Sequence, residues 1–259
     1  MRRGGREVVS ASDTDRWLTS IILGVTALVG VGAWLGINPT EGPGAAGAAV
    51  AEGWRDTVDV AGRFRPSYVE HEDRPAVEAA LTVLAVRAED SGDNYTRGAF
   101  GQSWADVDRN GCDTRNDILA RDLTDVTKRG RCVVLAGTLT DPYTGAVNAF
   151  AKASAGDIEI DHVVSLAEAW RSGANAWTAA QRLTLANDPR NLLATGRGVN
   201  RSKSDDDAAD WQPPGGATQG CNYARAVVRV KVTYRLTVDT DERKALAGLL
   251  GRCPKEAVR

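Results

Sequence analysis

Between Trp17 and Ile37 the chain runs 21 residues without a charge, WLTSIILGVTALVGVGAWLGI. A stretch of that length is enough to cross a hydrocarbon core as a helix. Arg2, Arg3, Arg6 and Arg16 precede it, and the next basic residue is Arg55. The positive-inside bias therefore keeps the N-terminus in the cytoplasm and sends the remainder outward. The run is expected to be an uncleaved signal anchor or a long signal peptide, its length favouring the anchor. The small residues of GAAGAAVA (Gly44 to Ala51) serve either as a linker or as a cleavage region. Everything after it is expected at the extracellular face, membrane-anchored or secreted.

An exported chain folds in an oxidising compartment, and its cysteines agree with that. Cys112, Cys132, Cys221 and Cys253 are an even set with no CxxC pair, which excludes a zinc ribbon or a thioredoxin-type motif. Four cysteines allow three pairings. The sequential one, Cys112–Cys132 and Cys221–Cys253, is expected, each bridge closing a loop of a few tens of residues and stabilising the fold by about 3 kcal/mol.

The remaining chain divides into three parts: residues 1–38 hold the tail and the apolar helix, 39–75 a linker, and 76–255 a folded domain. The linker is Gly/Ala-rich from Gly42 to Gly53, then charged, and carries His71 in a solvated connector. Past Pro75, the spacing of Val77, Ala80, Leu81 and Leu84 predicts a helix. NDILARDL, LAEAWRSGA, TAAQRLTLAND, NRSKSDDDAADW and DERKALAGLLGRC read as helices, the last with Thr240 as its N-cap. RCVVLAGTLTDPYTGAVNAF reads as a hairpin about the turn DPYTG, while DIEIDHVV and RNLLAT read as strands. From Val228 to Val238 the alternation VRVKVTYRLTV favours a strand by itself. The fold class is α+β.

The chemistry concentrates where few histidines are available. The chain has 2 histidines, and one of them, His162, stands directly behind an acid in IEIDHVVSLAEAW. Phosphodiester hydrolysis needs a base near neutrality and positive charge on the phosphate and leaving oxygen, duties that a neutral imidazole and a hard divalent ion fulfil. Such an ion takes oxygen ligands and keeps several waters. Neighbouring residues of a strand face opposite ways, so Asp161 and His162 are placed to divide the two duties. Downstream, NDPRNLLATGRGVNRSKSD supplies Asn191 before a short strand, then Asn200, then Lys203 one helical turn further on.

This order, a strand ending in Asp-His, a returning strand opened by Asn and a helix presenting a second Asn, resembles the ββα-metal finger of HNH endonucleases in an asparagine-ended form. More closely, it is similar to exported actinobacterial HNH proteins related to the C-terminal nuclease part of GmrSD-type restriction enzymes. The resemblance spans about residues 77 to 253 through SWADVDRNGCDTRNDIL, CVVLAGTLTDPYTG, IDHVVSLAEAW, NDPRNLLAT and NRSKSDDDAADW. It implies His162 as general base, Asp161 and Asn200 as metal ligands, Asn191 orienting the histidine by a hydrogen bond, and Lys203 contacting phosphate. Asn in place of a terminal His favours Mg²⁺ or Mn²⁺ over softer ions. Nucleic acid, DNA before RNA, is the implied partner. Two helices must be inserted between the strands of the finger, and residues 224–234 become helical under the same resemblance, against their alternation.

The formal net charge of −2 argues against a protein that holds nucleic acid tightly through basic residues alone. DVDRNGCDTRND adds a second motif, with Asp106, Asp108, Asn110 and Asp117 at positions 1, 3, 5 and 12 of an EF-hand-like loop that would take Ca²⁺. The alternative for that loop is a polar turn cross-linked by Cys112. Arg115 is a candidate phosphate contact there, or else an ion-pair partner of Asp113 or Asp117. The competing function is an anchored extracellular calcium-binding or adhesion module without catalysis. A serine hydrolase has less support, because no GxSxG elbow is present.

Overall fold

Apolar residues on one face of several short strands set the architecture. The computed structural model describes residues 74–154 and 157–254. Helix α1 (Arg74–Val83) buries Val77, Ala80 and Leu81 along one stripe. Helix α2 (Thr114–Asp122) starts at Asp113, whose carboxylate caps it by accepting from the Asn116 N–H, and it buries Ile118 and Leu119. Strands β1 (Leu123–Arg129), β2 (Val133–Thr140) and β3 (Val147–Ala151) form an antiparallel meander. The expected hairpin is β2–β3, turning at Asp141 to Gly145, where Gly145 adopts φ +75°. Strand β1 was not anticipated: its residues LTDVTKR are mostly exposed and carry no alternation, and pairing with β2 makes the strand.

Strand β4 (Ile158–His162) precedes α3 (Leu166–Arg171) and α4 (Ala179–Asn187), the two helices expected between the strands. Strand β5 (Leu192–Gly196) then returns antiparallel to β4 and leads straight into α5 (Arg197–Lys203). The register pairs Ile160 with Ala194 and His162 with Leu192. Ile158, Ile160, Leu192 and Ala194 join Ile118, Leu119, Leu123, Val134, Leu139 and Phe150 in one core, so both sheets close on α2. That assignment turns Glu159 and Asp161 to the other face, against α5. The free edge of β5 is satisfied by α2: Asp122 accepts from the Ala194 N–H (2.8 Å) and Arg121 donates to the Leu192 carbonyl (2.5 Å).

Helices α6 (Ala217–Tyr234) and α7 (Thr240–Gly251) pack on each other and on α1. The disulfides are Cys112–Cys132, joining the approach to α2 with the β1–β2 turn, and Cys221–Cys253, joining the start of α6 to the end of α7. The segment 224–234 is helical despite its alternation. The basic residues that break its apolar run are buried as well, Arg229 at 8% and Lys231 at 0% exposure, so the alternation does not report a solvent face. Asp239, not Thr240, caps α7, its carboxylate accepting from the Glu242 N–H. NRSKSDDDAADW is helical only as far as Lys203. Among the described residues no helix is long and apolar enough to cross a membrane. The Trp17–Ile37 run, the Gly42–Gly53 spacer and His71 lie outside the described residues.

Lys231 lies between two carboxylates, Glu168 of α3 (2.6 Å) and Glu242 of α7 (2.5 Å), and also donates to the Thr237 carbonyl (2.9 Å). One cation shared by two buried acids leaves a surplus negative charge. Burial opposes the charge on Lys231, and attraction from Glu168, joined by Glu242 once it ionises, holds the ammonium up at about 12. Burial pushes the Glu242 carboxyl up to about 8, with Lys231 opposing and Glu168 adding. The folded chain therefore retains a proton at Glu242 that the unfolded chain gives up near 4.5. Stability from this group is complete below that value and is lost as pH rises through about 8. Thermal unfolding midpoints should fall from pH 5 to pH 9, and Glu242→Gln should flatten that slope; an unchanged slope in the variant would refute the assignment.

Candidate active site

Asp161 and His162 end β4 with their side chains on opposite faces, and an open cleft of about 590 Å³ reaches both of them. Asn200 of α5 lines the same cleft. The structure thus gathers three of the residues singled out in the sequence from two distant stretches, through the β4–β5 register and the immediate entry of α5.

Asp161 is nearly inaccessible on its inner side. Its Oδ2 accepts from the Tyr143 hydroxyl (2.6 Å), and Lys203 Nζ lies 3.3 Å from Oδ1 and 3.2 Å from Oδ2. Burial pushes this carboxyl above its ordinary value, while Lys203 and then Tyr143 oppose the shift. A carboxylate has about four acceptor sites, so these donors leave capacity on Oδ1 for a further partner. Asn200 donates through Nδ2 to Glu159 (2.8 Å), which fixes the amide and turns its carbonyl oxygen away from that carboxylate. Asp161 and Asn200 bring one anionic and one neutral oxygen donor to a shared cleft, the donor types that a hard divalent cation takes. Among the described residues no group of three or more His, Cys, Asp or Glu forms a fuller ligand set.

His162 is 7% exposed, and its Nε2 lies 2.9 Å from the Ala186 carbonyl. A carbonyl only accepts, so Nε2 carries the proton and Nδ1 is left as the basic nitrogen. Burial pulls the imidazole down to about 4, opposed by the Ala186 contact and assisted by Arg97 and Lys203, so it is neutral at pH 7.

Asn191 does not orient the imidazole directly. Its Oδ1 accepts from the Val164 N–H (2.9 Å), its Nδ2 donates to the Val164 carbonyl (3.1 Å), and its own carbonyl accepts from the Val163 N–H (2.8 Å). The amide extends the β4–β5 ladder past the strand end and clamps the two residues behind His162; the orienting bond comes from Ala186 instead. Lys203 is likewise corrected. It is 0% exposed, with Nζ also donating to the His162 carbonyl (2.9 Å), so it has no route to a phosphate and serves Asp161 from behind.

Arg115 does not line the cleft. Half-buried, it lies against the Ile158 carbonyl (3.4 Å) near Asp113 and Glu159. The expected calcium loop is built as a turn. Asp106 accepts from the Asn110 (3.0 Å) and Gly111 (2.8 Å) N–H groups, Asp108 accepts from the Asn110 N–H (3.1 Å), and Asn110 Nδ2 bridges Asp108 and Asp117 (3.0 Å each). The loop's own donors reach all three carboxylates, as in the polar-turn alternative, and each carboxylate keeps further acceptor capacity.

Three groups of the site were missed in the sequence. Tyr143 stood in DPYTG, where turn chemistry accounts for Asp, Pro and Gly and nothing marks the tyrosine's reach. Glu159 preceded Asp161 by two positions, a spacing that does put both on one face. Arg97 lay in a stretch without periodicity.

Residues 113–249 match the family model described as GmrSD restriction endonucleases, C-terminal domain, and this covers more than half of the chain. The chain belongs to this family. It is also 38% identical over 178 residues to a protein of Arthroderma benhamiae described as an uncharacterized secreted protein, an alignment covering 68% of this chain and 84% of the relative. No solved structure gives a significant match. All of β1 to β5, and every residue of the cleft from Asp161 to Asp205, fall inside the matched family region.

Two substitutions check the roles reassigned here. Asn191→Ala leaves the buried Val164 N–H and carbonyl unsatisfied and should cost roughly 3 kcal/mol in denaturant unfolding. Tyr143→Phe removes one donor from Asp161 while keeping the packed ring. It should lower stability by about 1 kcal/mol and, because one of the groups that keep the buried Asp161 carboxyl ionised is gone, weaken Mn²⁺ binding measured by calorimetry.

Proposed function

We propose that this protein is an exported, metal-dependent endonuclease of the HNH type, hydrolysing phosphodiester bonds in nucleic acid, DNA before RNA. The observation that carries the reading is the imidazole of His162: its Nε2–H is committed to Ala186, which leaves Nδ1 as the basic nitrogen, and the residue lines the cleft that also receives Asp161 and Asn200. Membership of a restriction-endonuclease domain family supports nuclease chemistry. The secreted description of the Arthroderma relative, two disulfides and the charge-free Trp17–Ile37 run support an extracellular location, anchored or released.

In this reading Asp161 and Asn200 would hold Mg²⁺ or Mn²⁺ on the scaffold β4–β5–α5, the counterpart of a ββα-metal finger. The bound cation would supply positive charge to the phosphate and to the departing oxygen. His162 Nδ1 accepts a proton from the attacking water as its oxygen bonds to phosphorus; the bond from phosphorus to the leaving oxygen breaks, and that oxygen takes up a proton from solvent. Lys203 and Tyr143 keep Asp161 ionised and aimed. The Asn191 clamp on Val163 and Val164 keeps the imidazole at the strand end, so little reorganisation accompanies the reaction. A domain of slight net negative charge suits this chemistry if substrate is held briefly and locally.

Plasmid DNA incubated with Mg²⁺ or Mn²⁺ should be nicked and linearised, and chelation should stop the reaction. His162→Ala should lower the rate by about 10²- to 10⁴-fold, with Asp161→Asn and Asn200→Ala raising the metal concentration needed for half-maximal rate. Cleavage at the parental rate by the His162→Ala protein would end this reading.

A further inference from the structure

Arg97 stands in the cleft without a partner. It opens a 3-10 turn, Arg97–Phe100, whose last residue is buried. The ring of Tyr95 sits edge-on to Phe100 (6.2 Å) and to Trp170 (6.1 Å). The backbone that carries Arg97 is thus fixed on both sides, while its side chain is exposed and borders both the main cleft and a smaller cavity shared with His162 and Ala186. Among the described residues, its guanidinium makes no hydrogen bond and no ion pair. The Tyr95 hydroxyl, on the same wall, also lacks a hydrogen-bond partner among the described residues.

The other cations near the cleft are employed differently. Arg171 is committed to Glu89 (2.7 Å) and to both the side chain (2.8 Å) and carbonyl (2.9 Å) of Asp205. Arg201 faces Glu159 at 3.9 Å, and Lys203 is buried against Asp161. A structural arginine in this molecule holds a carboxylate or carbonyls, as Arg171, Arg121 and Arg190 do. Arg97 holds neither, and it lines the same cleft and the same small cavity as His162. A planar five-donor fork left open on that wall matches two non-bridging oxygens of a phosphodiester, and such charge-assisted pairs are stronger than neutral hydrogen bonds.

We propose that Arg97 grips the phosphate of the bound strand beside His162, as a substrate-contacting catalytic residue that neither Arg115 nor Lys203 can replace. The assignment rests on the hydrolytic reading above, and it locates the basic contact that the weakly acidic composition leaves unaccounted for.

The test measures binding of fluorescein-labelled single-stranded and duplex oligonucleotides by the full chain carrying His162→Ala, so that affinity is read without turnover. Adding Arg97→Ala should weaken binding about 10- to 100-fold and reduce the slope of log affinity against log salt by about one. Arg97→Lys should keep the slope and recover only part of the affinity. Arg97→Gln should reproduce the loss if the alanine variant folds poorly by circular dichroism. Arg129→Ala, at the exposed end of β1, removes the same charge away from the cleft and should shift affinity less than about twofold. Unchanged affinity and slope on losing Arg97, or an equal loss from Arg129→Ala, would overturn the proposal. With His162 intact, Arg97→Ala should also lower kcat/KM by about 10- to 100-fold. Cleavage that needs His162 but ignores Arg97 sinks this inference alone; Arg97-dependent binding in a chain that cuts nothing sinks the hydrolytic reading and the catalytic role of Arg97 with it, leaving only the phosphate contact.

Discussion

The buried pair between Lys203 and Asp161 organises the molecule around itself. Each partner is costly to bury alone, and attraction repays that cost only when further hydrogen bonds complete the geometry. Here Tyr143 adds a hydrogen bond to the carboxylate and the His162 carbonyl accepts one from the ammonium. Those contacts recruit three separate parts: the β2–β3 turn for Tyr143, the end of β4 for Asp161, and the last turn of α5 for Lys203. Removing either charge would strand the other in a dry interior, which ties integrity of the fold to integrity of the site.

The turn that delivers Tyr143 is bound to the second sheet by more than one hydroxyl. Asp141 accepts from the Thr195 hydroxyl (2.8 Å) and the Gly196 N–H (2.6 Å), at the junction of β5 and α5. The first sheet therefore fixes where α5 begins, and with it Asn200. On the opposite side, Lys231 fastens α3, which follows the His162 loop, to α6 and α7, and Cys221–Cys253 closes that pair of helices. A rigid frame surrounds a cleft whose own wall, at Arg97, is left unpaired. Among the described residues, that open guanidinium contrasts with Arg171 and Lys203 of the same cleft, whose charges are held by carboxylates.

Much of this was legible in the sequence because it depends on local rules. Ile158, Ile160 and His162 fall on one face and Glu159 and Asp161 on the other by strand alternation alone, and the order of Asn191, Asn200 and Lys203 follows from a strand running into a helix. Roles were harder to read than positions. Asn191 and Lys203 carry polar groups suited to a substrate, yet both are used to satisfy buried backbone and a buried carboxylate, a demand that is visible only once burial is known. Arg115 and the Asp106–Asp117 loop look like ligand chemistry by spacing, and the structure turns Arg115 toward the Ile158 carbonyl and bonds the loop carboxylates to the turn's own N–H and amide groups. Alternation over residues 228–238 pointed to a strand while the resemblance implied a helix over 224–234, and the structure has the helix: enclosed on nearly all sides, it loses the exposed face on which periodicity depends.

The sequence by itself determined the α+β class, the sequence neighbourhood of Asp161 and His162, and the supply of oxygen donors for a hard cation, because propensity, alternation and side-chain chemistry act over a few residues. Tertiary structure alone decided which donors stay free. Ala186, Tyr143 and Arg97 come from parts of the chain far from His162, and whether a polar group is spent or available depends on what folding brings within about 3 Å of it.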